Sequence, residues 1–250
     1  MTPYVAIART TARQVVGGKR LIGFVLLILA PAGIMFLSTG NQSPAAATND
    51  VIDITVGTFF VVAIPVVAIM LGATALGADR RDSTISFIAL RPLSRPLIGL
   101  AKIVGSLVTA YALTGLGALA IGIVAMVRVD SSGYIVPLLV ATLVATLAYG
   151  AVLVPLGYVT ERASVIGLAY VFIWESAIAG TISGLAWSSL WRIGFMSFVA
   201  LAPEGTESIV PDFALGDLPP SLGGSLTRII VLTAMATAIT GWLLRTRDLV

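Results

Sequence analysis

Ionisable side chains that could do chemistry are few in this sequence, and they fall into two places. The first is the stretch 79–102, DRRDSTISFIALRPLSRPLIGLAK, which carries seven charged residues in 24 positions. The second is Glu175, which stands alone inside the apolar run FIWES. The chain has no histidine and no cysteine, so His/Cys metal sites, disulfides and Ser-His or Cys-His catalytic pairs are excluded. We therefore predict no catalytic residue and no metal site.

The stretch 79–102 has the signals of a short helix in its middle. Asp82 and Ser83 are good N-cap residues, and Pro92 biases Arg91 away from helical geometry. Between them lies the apolar run ISFIAL. A helix near residues 83–90 that lies between membrane spans is either a docking element for a partner or an anchor at the membrane surface.

The composition assigns the chain to a lipid bilayer. Of its 250 residues 58% are hydrophobic and only 11% are charged, against about 25% charged in soluble domains. A helix needs about 20 apolar residues to span the bilayer. We therefore predict an all-α polytopic membrane protein in which residues 21–250 form one domain. Its six predicted spans are 21–39, 54–78 (kinked near Pro65), 98–127, 134–159, 165–186 and 226–244.

The first twenty residues predict an amphipathic helix lying on the membrane surface. Pro3 suits the first helical position. We assign Arg9 and Arg13 to one face, and the apolar face consists of Val5, Ala8, Ala12, Val15 and Val16.

The basic residues set the predicted orientation. With the N-terminus inside, twelve lysines and arginines lie on the cytoplasmic side, and only Arg128, Arg192 and Arg228 lie outside. We therefore predict a multi-pass protein of the cell membrane with both termini and the stretch 79–102 in the cytoplasm.

The connection 187–225 divides into two parts. Its first part, WSSLWRIGFMSFVALA, is apolar but too short to cross, which predicts an interfacial or re-entrant helix that must be covered by protein. The rest predicts an exposed acidic loop with Glu204, Glu207, Asp212 and Asp217. Within the third span, small residues recur every four positions and predict a helix-packing face: Ser106, Ala110, Thr114, Ala118 and Gly122.

Two interpretations of Glu175 remain open. A carboxylate deep in a span costs about 2.5–3.5 kcal/mol on insertion scales, so it should face protein or water. It either lines a cavity for substrate or protons, or it is a hydrogen-bonded or Arg192-paired strut that holds the fifth span to the re-entrant segment.

The stretch 79–102 resembles the cytoplasmic connection of ABC-2 type exporter permeases. Asp79, Thr84, Leu90, Pro92, Ser94, Arg95 and Lys102 fall at that family's positions without gaps. Two residues depart from the pattern, because Asp79 stands where Glu is usual and Ser83 where Gly is usual. The segment LAYVFIWESAIAG resembles the fifth span of the multicopper-enzyme-maturation permease subgroup.

The resemblance implies a permease subunit of an ATP-driven exporter that is not itself an enzyme. Residues 84–90 would be a cytoplasmic coupling helix between spans 2 and 3, inserted into an ATPase subunit. ATP and Mg²⁺ would bind to that ATPase, present in two copies, and this chain would pair with a second permease copy or a paralogue; nucleic acid is not an expected partner. The residues assigned to coupling are Asp79, Arg80, Asp82, Thr84, Ile85, Phe87, Ile88, Leu90, Pro92, Arg95 and Lys102.

The alternative is an autonomous secondary transporter or channel. Such proteins usually place several polar groups and broken helices near the middle of the membrane. In this sequence Glu175 is nearly alone there, and no inverted repeat is visible.

Overall fold

The computed structural model describes residues 3–15, 20–81, 94–216 and 219–246. Within these ranges the chain is helical and has no strand. The α-helices are α1 (Pro3–Val15), α2 (Arg20–Ser38), α3 (Pro44–Ile54), α4 (Ile64–Arg81), α5 (Arg95–Val129), α6 (Ile135–Val159), α7 (Ala163–Ala169), α8 (Ala179–Thr181), α9 (Leu190–Leu201), α10 (Asp212–Leu215) and α11 (Leu222–Thr246). Two π-helical segments, Thr55–Ala63 and Tyr170–Ile178, join α3 to α4 and α7 to α8, and 3₁₀ turns lie at Ser132–Tyr134, Ser183–Ser188 and Thr206–Ile209.

Six helical stretches in these described ranges are long and apolar enough to cross a membrane. They are Leu21–Ser38, Pro44–Ala78, Arg95–Val129, Ser132–Val159, Ala163–Thr181 and Leu222–Thr246. The prediction of an all-helical chain with six such segments is confirmed.

The second long helix begins earlier than the hydropathy pattern predicts. We expected a polar connection as far as Asp53, but α3 starts at Pro44. The Ser43 side chain accepts a hydrogen bond from the Ala46 amide, and proline occupies the first turn. A capping serine, an N-terminal proline and three alanines favour a helix even though the segment is polar.

The π-helical segment Thr55–Ala63 ends just before Pro65, the residue near which a kink is predicted. Proline has no amide hydrogen to donate to the preceding turn. Wider π-type turns are one way in which a helix accommodates such a break in its hydrogen-bond ladder.

Helix α6 lies at the centre of the molecule, in contact with α4, α5, α9 and α11. Small residues let these helices approach closely. A Cβ atom on Gly157 of α6 would overlap the Ala73 carbonyl oxygen of α4, and one on Gly194 of α9 would lie 2.5 Å from the Ala141 carbonyl oxygen. The helices are therefore in backbone contact at these points.

The small-residue face predicted on the third span is confirmed as a packing face. Its members at 106, 110, 114, 118 and 122 are all buried. The hydroxyls of Thr114 and Thr146 lie 3.1 Å apart, within hydrogen-bond distance, and join α5 to α6.

Helix α1 packs along α5. A Cβ atom on Gly105 would lie 2.5 Å from the Ala8 carbonyl oxygen, and the Thr109 hydroxyl donates to the Ala12 carbonyl at 3.3 Å. Among residues 4–13 of α1, Thr11 is the fully buried side chain, whereas Val5 is 51% exposed. Contact with α5 selects the face that carries Ala8, Thr11 and Ala12.

The fifth long helix ends at Thr181, before the predicted limit at residue 186. The remaining residues form the 3₁₀ turn Ser183–Ser188 and lead into α9. Helix α9 is buried from Leu190 to Val199, mainly against α6 and α11, so protein covers it as predicted. In the following loop Glu204, Glu207 and Asp212 are exposed, as predicted, and Asp217 lies outside the described residues.

Candidate functional site

Glu175 is almost completely buried, with 1% of its surface exposed, and four donors surround its carboxylate. One oxygen accepts a hydrogen bond from the Tyr149 hydroxyl. The other accepts from the Ser189 hydroxyl at 3.1 Å, the Leu190 amide at 2.5 Å and the Trp191 amide at 3.4 Å. Leu190 and Trp191 open α9, so the carboxylate binds amide hydrogens that have no partner within the helix.

This position also suits the charge of Glu175. The N-terminus of a helix carries a partial positive charge, which stabilises a carboxylate placed there. Glu175 belongs to the fifth long helix, so it joins that helix to α9 and, through Tyr149, to the central α6. The geometry favours the hydrogen-bonded strut among the two interpretations of this residue.

Arg192, in the first turn of α9 near Glu175, is also buried, with 1% of its surface exposed. Its guanidinium donates to three backbone carbonyls: Ala179 at 3.0 Å, Phe213 at 2.5 Å and Ala214 at 3.2 Å. The Arg192 hydrogen bonds therefore go to α8 and α10 and not to Glu175, contrary to the pairing considered from the sequence. Burial lowers the pKa of Arg192, but an arginine stays protonated in proteins.

The 3₁₀ turn Ser183–Ser188 is tied to the fifth long helix by two aromatic side chains. The Trp174 indole donates to the Ser188 hydroxyl at 2.9 Å, and the Tyr170 hydroxyl donates to the Ser188 carbonyl at 2.8 Å. Together with Glu175, these contacts give the segment that follows α8 a defined position.

In another part of the molecule, the first turn of α5 packs against the last turns of α11. The Arg95 guanidinium donates to the Leu244 carbonyl at 2.5 Å. A Cβ atom on Gly99 would lie 2.9 Å from Thr240, and one on Gly241 would lie 2.8 Å from Pro96. Arg95 therefore satisfies a terminal carbonyl of α11, where a positive charge is also favoured.

Helix α1 reaches the same end of α5. The Ser94 amide donates to the Tyr4 hydroxyl at 3.2 Å. Lys102, two turns into α5, is 1% exposed. The side chain of Lys102 is therefore buried in the protein, five residues into the predicted span 98–127.

Most of the predicted coupling residues lie outside the described residues: Asp82, Thr84, Ile85, Phe87, Ile88, Leu90 and Pro92. Asp79 and Arg80 belong to the last turns of α4. The stretch thus connects the end of α4 to the beginning of α5, where the contacts of Arg95 and Tyr4 are found.

Two apolar cavities flank α11. One, of about 620 Å³, lies between α5, α6 and α11 and is lined by Pro96, Leu100, Leu147, Ile229, Ile230, Thr233, Ala234, Thr237 and Ala238. The other, of about 390 Å³, lies between α11 and the segment 187–193 and includes Arg228. Glu175 lines neither cavity.

Sequence reasoning identified Glu175 but missed Tyr149 and Ser189 as its partners. Tyr149 is a polar residue in the middle of a predicted span, which is a weak signal for a buried hydrogen bond. Ser189 precedes the apolar run of α9 and could have been found as the start of a helix that needs a cap.

In the part of the chain that the structure describes, the helices and their contacts define an all-α fold with six segments that can cross a membrane. No protein-family model matches the chain, and no curated protein matches it.

Proposed function

We propose that this chain is the membrane-spanning permease subunit of an ATP-driven exporter in the cell membrane. A separate ATPase subunit would bind ATP and Mg²⁺ and would bind the proposed coupling helix, residues 84–90, from the cytoplasm. The chain would work as a pair, with a second copy of itself or a paralogue, and would not hydrolyse ATP itself. The resemblance of residues 79–102 to ABC-2 type permeases supports this proposal.

The position of Arg95 is the structural observation that carries the proposal furthest. The stretch 82–93 links α4 to α5, and the first residue of α5 is hydrogen-bonded to the end of α11. Helix α1 contacts the same region through Tyr4. A force applied to the stretch would therefore act on three long helices and on α1 together, as a rigid-body mechanism of coupling requires.

Co-purification with a soluble ATPase tests the proposal. We expect the double variant Ile85→Asp/Ile88→Asp to lose the ATPase, because two carboxylates on an apolar docking ridge must be desolvated on binding. The control variant Ser208→Asp/Ser221→Asp adds the same charges at exposed positions elsewhere. It should still co-purify with the ATPase.

The proposal fails if the wild-type chain purifies without an ATPase and transports substrate in liposomes driven by an ion gradient alone. That result would establish the secondary transporter instead. ATPase binding that is unaltered in Ile85→Asp/Ile88→Asp would remove these residues from the docking surface.

A further inference from the structure

The smaller cavity beside α11 has the make-up of a site for an amphiphile. Its lining is mostly apolar and includes one charged side chain, and its volume of about 390 Å³ falls within the usual range of ligand sites. The lining residues are Trp187, Ser188, Leu190, Ile193, Thr227, Arg228, Val231, Leu232 and Met235.

Arg228 is the charged residue of this lining. It lies in the second turn of α11, near one end of a helix that can cross a membrane, and its side chain is partly exposed. Within the described part of the chain, no carboxylate pairs with it and no carbonyl accepts from it. A guanidinium with free donors binds phosphate oxygens in a bidentate fashion.

Trp187 lies on the rim of the cavity and is 63% exposed. Its neighbour Ser188 is hydrogen-bonded to Tyr170 and Trp174, in the middle of the fifth long helix. This wall of the cavity is therefore held in place before any ligand binds.

The apolar part of the cavity extends away from Arg228 along α11. Met235 is seven residues further on, about 10 Å along the helix axis. Val231 and Met235 are more than half exposed, and Ile193 of α9 also lines the cavity. A headgroup at Arg228 would thus continue into an acyl chain lying against these side chains.

We propose that this cavity binds an anionic phospholipid, with its phosphate at Arg228 and one acyl chain between α9 and α11. A single cation in a mostly apolar cavity matches the charge distribution of that lipid. The larger cavity of about 620 Å³ has no charged residue in its lining and so would take an acyl chain without selecting the headgroup. The lipid site does not depend on the proposed ATPase partner.

Native mass spectrometry of the purified full-length chain tests the site. The protein is titrated with phosphatidylglycerol or phosphatidylcholine of identical acyl chains, and we expect the anionic lipid to bind several-fold more tightly. Arg228→Gln should abolish that preference, and Arg228→Lys should retain part of it. Arg162→Gln is the matched control, because Arg162 is exposed in the turn between α6 and α7 and should leave the preference unchanged.

Filling the apolar part gives a second, independent readout. Met235→Trp should reduce the occupancy of both lipids, since the larger ring takes the place of the acyl chain. Thermal unfolding of each variant checks that the fold is kept.

Three results would overturn the proposal. They are equal affinity of the wild-type chain for the two lipids, an unchanged preference in Arg228→Gln, and efficient disulfide cross-linking of two chains through Met235→Cys. The last result would show a second copy in the cavity, and it is easily read because the chain has no cysteine of its own.

Discussion

Glu175 shows how a carboxylate can be stable inside an apolar helix. Tyr149, Ser189 and the first amides of α9 supply hydrogen bonds to both of its oxygens. A buried polar group of this kind costs little when it is fully bonded and much when a partner is removed. Glu175 therefore connects the fifth long helix to α6 and α9. Its removal should destabilise the region where these helices meet.

Replacing Glu175 by alanine should destabilise the protein strongly. The Tyr149 hydroxyl and the Leu190 amide would lose their acceptor, at about 1–3 kcal/mol for each unsatisfied group. Thermal unfolding in detergent, followed by tryptophan fluorescence, measures the change. Glu175→Gln keeps an amide oxygen for Leu190 and should lose much less stability.

The outcome of these two variants separates the interpretations of Glu175. A strut predicts that stability falls in the alanine variant and that function is largely kept in the glutamine variant. Normal stability of Glu175→Ala, with transport lost in both variants, would instead establish a cavity-lining role.

Arg192 fixes α8 and α10 through three carbonyls, a geometry that only the guanidinium fork can supply. Arg192→Lys should therefore loosen the loop after α9. Limited proteolysis should cut residues 202–221 faster in this variant than in the wild-type chain. Arg162→Lys serves as the control, and equal cutting of Arg192→Lys and wild type would contradict this role.

At the scale of helices, the close contact of α4 and α6 depends on the absence of a side chain at Gly157. Gly157→Ala places a methyl group against the Ala73 carbonyl and should cost about 1–3 kcal/mol through overpacking. Gly150→Ala is an identical change in the same helix, where the added methyl meets nothing within 4 Å. It should be neutral or stabilise by up to about 1 kcal/mol, and thermal unfolding of both variants gives the comparison. Equal effects of the two substitutions would contradict the packing described for α4 and α6.

The six long helices could be predicted from the sequence because each must avoid exposing charge to lipid over about 20 residues. Because of that requirement, apolar side chains run along the whole length of each segment and can be recognised in the sequence. Helix ends were harder, since Pro44–Asp53 is polar but helical for reasons of capping and alanine content. The burial of Thr11 in α1 could not be predicted either, because it results from the position of α5 and not from the hydropathy of the residue.

The candidate site was predictable only in part for a related reason. A lone carboxylate in a span is visible in the sequence, whereas its partners come from helices that are distant in the chain. Tyr149 lies 26 residues before Glu175 and Ser189 lies 14 after it. Only the packing of α6, α9 and the fifth long helix brings them together.

At the scale of the whole molecule, two regions of the helical bundle are constructed differently. Buried hydrogen bonds of Glu175, Arg192 and the turn that contains Ser188 join the fifth long helix to α6, α9 and α10. At the end of the bundle where α5 begins, α1, α5 and α11 meet. This division suits a protein in which the hydrogen-bonded region keeps its shape while the end beside the first turn of α5 receives a force from a partner, as the proposed permease function requires.

The most direct measurement of that function is photo-cross-linking from position 87 in intact cells. With Phe87→p-benzoylphenylalanine, we predict an adduct between this chain and a soluble ATPase, and no such adduct from Leu226→p-benzoylphenylalanine at the opposite end of the bundle. Cross-links from position 87 to lipid alone, or labelling of that position from outside the cell, would contradict the account.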